Sequence, residues 1–511
     1  MVPVCGDSGK GVPWKIMVND RGMAITRRRF LAAAAATTAA VAAAPQRPNI
    51  IFLLLDDLGW RDFGCYGNTF FETPHLDRLA SEGVRFTNAY AACPVCSPTR
   101  ASILTGKYPA RLHVTDWIPG RQQWPTAKLI TPAFEQHLPL RETTIAEALK
   151  PLGYRTASIG KWHLGGNGFL PTDQGFDLNV AGNDRGSPQS YFGPFDLPNL
   201  KGGTQDDFLT EKLSDAADRF IQDSVGKAPF FLYLPEFAVH IPLQARQNAV
   251  EKYRQKNAGK AFPNPVYAAM VESADVALGR LRARLDQLKI ADSTAIIVFS
   301  DNGGLRYEGG STSPVTDNSP LRAGKGHLFE GGIREPLLVH WPGVTSPGKV
   351  CDTPACSIDF LPTIFEMATG RAFRGKEVDG VSLAPLLRGN GAPRRDALYW
   401  HYPHYSNQGG TPAGAVRVGD WKLIEFFEDG RQELFNLKDD IGERNNLALR
   451  EPKIRALLDE RLKAWRRSVD ASMPTVNPRY DSAKADQHLT GAEPPTPPAG
   501  AMAGRDLEVL R

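Results

Sequence analysis

The chain has 511 residues, long enough for one large α/β domain and a smaller second one, because single hydrophobic cores stop growing at roughly 250 to 300 residues. Its 60 Lys+Arg against 56 Asp+Glu leave a net charge of +4, and with no basic run beyond the N-terminus and no basic-aromatic platform, nucleic acid is not an expected partner. A hydrophobic content of 42% with 9% aromatic confines any disorder to the ends, and six cysteines are too few for a disulfide-built scaffold of this size.

The first element is Thr26-Arg27-Arg28-Arg29-Phe30-Leu31, followed by an apolar run of small residues from Ala32 to Ala44 and an A-x-A-like site before Pro45. This run is too short to span a membrane and resembles a bacterial twin-arginine export signal over residues 1–44, with the mature chain starting near Pro45. Asn49–Leu55 is a continuous apolar run ending in Asp56 and Asp57, which predicts a strand buried on both faces with carboxylates at its carboxyl end. Two adjacent aspartates there are either solvated in a turn or held together by a cation. Cys93-x-x-Cys96 suggests a redox pair or half a zinc site, but no second cysteine or histidine cluster completes such a site.

Further along, Arg155–Ile159, Phe230–Leu234, Ala295–Ser300 and Leu337–Trp341 have the composition of short strands. Thr143–Leu149, Glu211–Val225 and Tyr267–Leu288 carry apolar residues at three- and four-residue spacing. Strands alternating with helices predict an α/β fold: a large, mostly parallel sheet sandwiched by helices, with ligands gathered at the carboxyl ends of the strands. Cys351 and Cys356 are close enough in sequence to close a short loop in an oxidising compartment.

After about Arg388 the pattern changes to Leu398–His401, Ala415–Val418, Trp421–Phe427 and Glu433–Asn436, then a charged helix near Pro452–Ser468. This predicts a smaller C-terminal antiparallel sheet with a covering helix, so the expected division is 45–390 for the large domain and 391–476 for the small one. The tail 477–511 is rich in Pro, Gly, Ala and charge and is expected to be extended or poorly ordered.

The most informative segment is Cys96-Ser97-Pro98-Thr99-Arg100, followed by Ser102-Ile103-Leu104-Thr105-Gly106. It resembles the C-x-P-x-R signature of the formylglycine-dependent sulfatases, members of the alkaline phosphatase superfamily, and the likeness runs over roughly residues 47–470. The resemblance implies that Cys96 is converted by a formylglycine-generating enzyme to an aldehyde. Its hydrate attacks the sulfur of a sulfate ester, and the sulfate is then lost by elimination. The resemblance also implies one calcium ion, with Mg²⁺ as the lesser candidate, ligated by Asp56, Asp57, Asp301, Asn302 and residue 96, an all-oxygen shell that suits Ca²⁺ better than Zn²⁺.

Further matches give the remaining site. Gly160-Lys161-Trp162-His163-Leu164-Gly165 resembles the family motif whose lysine contacts sulfate and whose histidine contacts the hydrate. His240 matches the sulfate-facing histidine and Lys325 the second lysine. Lys161, His240 and Lys325 would stabilise charge on the sulfate, with His240 or Lys325 as general acid. Asp301 is a candidate base, and His163 would assist the elimination. Arg100, one helical turn after Cys96, would hold either the hydrate or the ligand carboxylates.

Two other readings compete: a phosphoesterase of the same superfamily and a catalytically inactive sugar-binding member. The cysteine with Pro98 and Arg100, and the lack of a clear ligand set for a second metal, favour the sulfatase. Arg111–Trp117 and His401–Tyr405 look like segments of bacterial carbohydrate sulfatases, which makes a sulfated carbohydrate the expected partner and His401 and His404 candidate sugar contacts. Packing between domains is the competing explanation for those histidines. The expected location is periplasmic or secreted, by way of the twin-arginine export machinery.

Overall fold

The computed structural model describes residues 47–124, 126–260, 262–307 and 314–483. The export segment 1–44 and the tail beyond 483 lie outside them. Seven strands make most of the main sheet: β1 (Asn49–Leu55), β2 (Val84–Tyr90), β3 (Arg155–Ile159), β4 (Leu178–Val180), β5 (Phe230–Pro235), β6 (Thr294–Ser300) and β7 (Arg334–His340). Their order is β2-β7-β6-β1-β5-β3-β4, with β8 (Lys349–Cys351) and β9 (Ala355–Cys356) both laid along the outer edge of β2. β1 pairs in parallel with β5 and β6, and β3 with β4 and β5. β7 alone runs against its neighbours.

The apolar run at β1 is explained by burial on both sides. Ile51, Leu53 and Leu55 enter one hydrophobic cluster, while Ile50, Phe52 and Leu54 enter the other. The first cluster includes residues of the helices Leu209–Ser224 and Pro265–Gln287, and the second includes residues of Phe360–Thr369. The expected helix at Thr143–Leu149 is a short turn, Ile145–Leu149, begun by a capping box between Thr144 and Glu147. β2 and β4 are not evident from the sequence, because β2 interleaves Arg85, Thr87 and Asn88 with its apolar residues and β4 has three residues.

A four-stranded antiparallel sheet follows: β10 (Leu398–Tyr402), β11 (Ala413–Val418), β12 (Trp421–Phe426) and β13 (Gln432–Asn436). The helix Pro452–Ser468 covers it through Leu458, Leu462 and Trp465. Trp400 of β10 donates to the Ala91 carbonyl at 2.8 Å and packs on Tyr90, joining this sheet to the segment ahead of Cys96. The tail is pinned at its start, where Thr475–Val476 pairs with Leu129–Ile130 and Asn477 donates to the Ala127 carbonyl. Cys351 and Cys356 are both free thiols, so the local loop that their spacing allows is not closed. No helix among the described residues is long and apolar enough to cross a membrane.

Candidate active site

Register decides which residues meet. Leu55 lies opposite Ser300 and Leu54 opposite Pro235, so Asp56-Asp57, Asp301-Asn302 and the chain leaving β5 emerge at one edge. β3 pairs with β5 in the same direction and delivers Lys161 and His163 there. Because β7 is antiparallel, its amino end approaches that same edge, which brings in Lys325 and the glycines before Arg334. The chain leaving β2 turns at the edge into the helix Cys96–Thr105, buried at every position and closed by Gly106 in the left-handed region at φ 69.

Cys96 sits at the first turn of that helix with its Sγ 3.4 Å from Nδ1 of His163. The other ring nitrogen, Nε2, reaches the Ile118 carbonyl. A carbonyl only accepts, so Nε2 carries the hydrogen and Nδ1 turns a lone pair toward residue 96. Burial, reinforced by the charge of Lys161, pushes His163 well below its ordinary pKa and keeps it neutral.

Arg100 points back from the next turn and is fully buried. Its Nε and one terminal nitrogen meet Oδ2 of Asp301 at 2.9 and 2.8 Å, and its other terminal nitrogen donates to the Lys161 carbonyl at 2.8 Å. Here Arg100 touches the carboxylates of Asp301 and, at 3.5 Å, Asp56. Lys161 Nζ lies 2.6 Å from Oδ2 of Asp56, and Lys325 Nζ lies 2.7 Å from Oδ2 of Asp57 and 3.2 Å from Nε2 of His240. Nδ1 of His240 bonds to the Ile241 carbonyl at 2.8 Å, so this ring also turns a lone pair inward.

The match to the sulfatase family model spans residues 48–370. The chain belongs to the sulfatase family. A second model, N-sulphoglucosamine sulphohydrolase, C-terminal, matches residues 324–468. The chain is 33% identical to a sulfatase of Formosa agariphila over 82% of its own length and 89% of the relative's. It is 35% identical to human arylsulfatase A over 75% of each. Among solved structures, Ps i-CgsB in complex with k-i-k-neocarrahexaose superposes with a TM-score of 0.71 at 28% identity, covering 86% of this chain and 96% of that one. The protein is therefore a sulfuric ester hydrolase of alkaline-phosphatase-like fold.

The donor set of this sulfatase fits a hard cation. Oδ1 of Asp56 and Oδ1 of Asn302 are buried and accept no hydrogen bond, an arrangement that costs free energy unless a cation satisfies it. Ligand atoms of Asp56, Asp57 and His240 lie within 4.8 Å of one another, and it is the only such group of three among the described residues. Burial by itself would raise Asp57, but the charge of Lys325, with Lys161 nearby, more than offsets it and holds the carboxyl below the ordinary range. Asp301 is instead pushed up to about 6 by burial and by the nearby Asp56, the repulsion expected where three carboxylates share one place.

Glycine shapes the other side of the sulfatase site. A Cβ on Gly303 would overlap the Gly331 carbonyl, so Asn302 is held where it is by glycine packed on glycine. The motifs Asn302-Gly303-Gly304 and Glu330-Gly331-Gly332 carried that signal in sequence. Two groups carried none: the Ile118 carbonyl and the hydroxyl of Tyr191, which donates to the His240 carbonyl at 2.8 Å and fixes that turn.

The structure does not bring His401 to this cluster. It is 3% exposed, its Nε2 bonds to the Ser472 carbonyl and its ring packs on Phe427. His404 is equally buried, with Nε2 2.8 Å from the Thr115 hydroxyl, although it lines a surface cleft.

Proposed function

We propose that this sulfatase hydrolyses a sulfate ester on a sulfated carbohydrate, with residue 96 matured from cysteine to formylglycine and one calcium ion held by Asp56, Asp57, Asp301, Asn302 and residue 96. The observation that carries the reading is the approach of the His163 lone pair to residue 96 beside three buried carboxylates and two buried ammonium groups. A phosphoesterase built on two metals would need a second ligand cluster.

The formylglycine would supply a hydrated aldehyde, one oxygen of which attacks sulfur while the other allows the sulfate to leave. In the mature residue oxygen replaces Sγ on the same carbon, so Sγ marks the position of the attacking atom. Calcium would supply positive charge against the carboxylates and against a sulfate oxygen. His163 is suited to accept a proton from the hydroxyl at residue 96, since Nε2 is committed to Ile118 and Nδ1 is the nitrogen facing it. Asp301 is less suited to that step, because Arg100 already holds its Oδ2 and the Asp57 N–H approaches Oδ1 at 3.3 Å. Lys161 and Lys325 would bind the sulfate oxygens and stabilise the charge that develops as the S–O bond breaks. His240 accepts from Lys325, and either His240 or Lys325 would deliver the proton to the leaving oxygen.

The carbohydrate reading is supported by the oligosaccharide bound to Ps i-CgsB. The segment Thr26–Leu31 with its following apolar run supports twin-arginine export to the periplasm or beyond. The proposed organisation is a catalytic domain 45–390 and a subdomain 391–476. The direct test is sulfate release by enzyme matured with a formylglycine-generating enzyme, measured on defined sulfated mono- and disaccharides, with 4-nitrophenyl sulfate and 4-nitrophenyl phosphate as controls. Release from at least one saccharide is expected. Turnover of the phosphate alone would overturn the reading.

A further inference from the structure

Two segments that the mechanism does not use, Arg111–Trp117 and His401–Tyr405, meet directly behind the proposed base. Asp116 is buried, and its Oδ1 accepts from the Tyr402 hydroxyl of β10 at 2.9 Å and from the Trp117 N–H at 2.9 Å. The same carboxylate also takes the N–H of Arg121. One side chain thus holds a backbone N–H on each side of Ile118, which is how a loop with no ladder of its own fixes the directions of its peptide groups. The bend between them passes through Gly120 at φ 88, where an L-residue would be strained and its Cβ would meet the Phe134 ring at 2.8 Å. On the flank, Thr115 meets Nε2 of His404 at 2.8 Å, and the His404 ring packs edge-on against Phe134.

Ile118 is where this turn touches the catalytic cluster. Its N–H donates to the hydroxyl of Ser97, the neighbour of Cys96, at 3.1 Å, and its carbonyl accepts from Nε2 of His163. The same residue therefore holds both the helix that carries residue 96 and the ring that faces it. Were the carbonyl to turn away, Nε2–H would lose its acceptor in a buried place. The hydrogen would then no longer be tied to Nε2, and with it on Nδ1 the lone pair facing residue 96 is gone. The tautomer of a working histidine is set by the partner of its far nitrogen, and that partner must itself be held. Here the holding group is Asp116, with Tyr402 behind it.

We propose that Asp116, supported by Tyr402, is a positioning residue for His163: it fixes the Ile118 carbonyl, which keeps the hydrogen on Nε2 and the Nδ1 lone pair on residue 96. The inference rests on His163 as the proton acceptor proposed above and extends that role to a carboxylate outside the catalytic cluster. It also gives the small sheet, through β10, a part in the chemistry and not in packing alone.

The test is a double-mutant cycle on the mature enzyme, read as kcat and KM on 4-nitrophenyl sulfate or whichever defined sulfated saccharide the wild type turns over. Asp116→Leu is expected to lower kcat roughly tenfold and to leave KM within about twofold. Asp116→Asn, which keeps an oxygen for Tyr402 and the Trp117 N–H, should retain most of the rate, and Tyr402→Phe should lower kcat in the same direction by less. In a His163→Ala background, Asp116→Leu is expected to cost nothing further in kcat, because there is no ring left to hold. The same proportional loss in both backgrounds overturns the positioning role and leaves only general damage to the fold. An unchanged kcat in Asp116→Leu, or a loss that Asp116→Asn does not repair, overturns it as well. If Asp116→Leu does not fold, the cycle run with Tyr402→Phe in its place decides by the same criterion. A His163→Ala enzyme with wild-type kcat overturns the reading of His163 itself, and the positioning role with it.

Discussion

Lys422, on β12 of the small sheet, places its ammonium 2.8 Å from the carboxylate of Glu330, and neither side chain is exposed. Glu443 closes the same ammonium at 2.9 Å and accepts from the Glu330 N–H. Glu330 opens the short helix whose glycines pack on Gly303, next to Asn302. The small sheet thus grips the segment packed against Gly303, next to Asn302 of the proposed ion site. Lys422→Met is expected to cost roughly 3–5 kcal/mol, because it strands buried carboxylates without their partner. Denaturant unfolding measures the loss, and calcium titration of the purified variant should show weaker binding than wild type.

For the ion, the proposed all-oxygen shell of Asp56, Asp57, Asp301, Asn302 and residue 96 predicts that Ca²⁺ raises the melting temperature of the metal-stripped protein and restores turnover better than Zn²⁺. At about a hundredfold excess over Kd the gain is about 2.7 kcal/mol. Asp57→Asn, which keeps the shape and removes the charge, should lose most of that thermal shift. A chelated enzyme with full activity would contradict the assignment.

At residue 96, the peptide from enzyme made in its own host should have lost one sulfur and two hydrogens and gained one oxygen, a change that mass spectrometry reads directly. Cys96→Ser, left as an alcohol, lacks a second hydroxyl on the same carbon and is expected to release at most one equivalent of alcohol per enzyme. His163→Ala, with maturation intact, should lower kcat by roughly 10²–10⁴-fold. Sustained turnover by unmodified serine would defeat the proposed chemistry.

Asp116 offers a pH test. Burial raises its pKa from 3.8 to about 7, and hydrogen bonds from Tyr402 and the Trp117 N–H only partly oppose that. A carboxyl whose folded value lies above its unfolded one stabilises the fold fully below the unfolded value. That contribution is lost as pH rises from about 4 to about 7. Asp116→Asn, which keeps an acceptor for Tyr402, is expected to flatten the decline in stability across this window while leaving the rest of the profile in place.

Export is tested by changing Arg27 and Arg28 to lysine together, since the twin-arginine machinery reads that pair and not charge in general. The enzyme should then accumulate in the cytoplasm of its host. Unchanged amounts outside would point to a different route.

Much of this protein is legible in its sequence because local chemistry decided it. A strand buried on both faces must be apolar throughout, so β1 announces itself. Carboxylates and an amide at strand ends, and the run from Cys96 to Gly106, mark the edge proposed as catalytic. The sequence also showed the change near Arg388 from alternating strand and helix to short antiparallel strands.

Tertiary structure decided what rests on distant partners. The antiparallel direction of β7 is what carries Lys325 to the edge occupied by Asp57, and no periodicity within residues 334–340 specifies direction. The tautomer of His163 depends on the backbone carbonyl of Ile118, which is invisible to any motif because every residue has one. That Arg100 meets Asp301, 201 residues away, is set by the fold. His401 and His404 lie three residues apart, yet one meets the Ser472 carbonyl and Phe427 while the other meets the Thr115 hydroxyl. Side-chain chemistry is written locally; which groups face each other depends on register, strand direction and backbone partners hundreds of residues away.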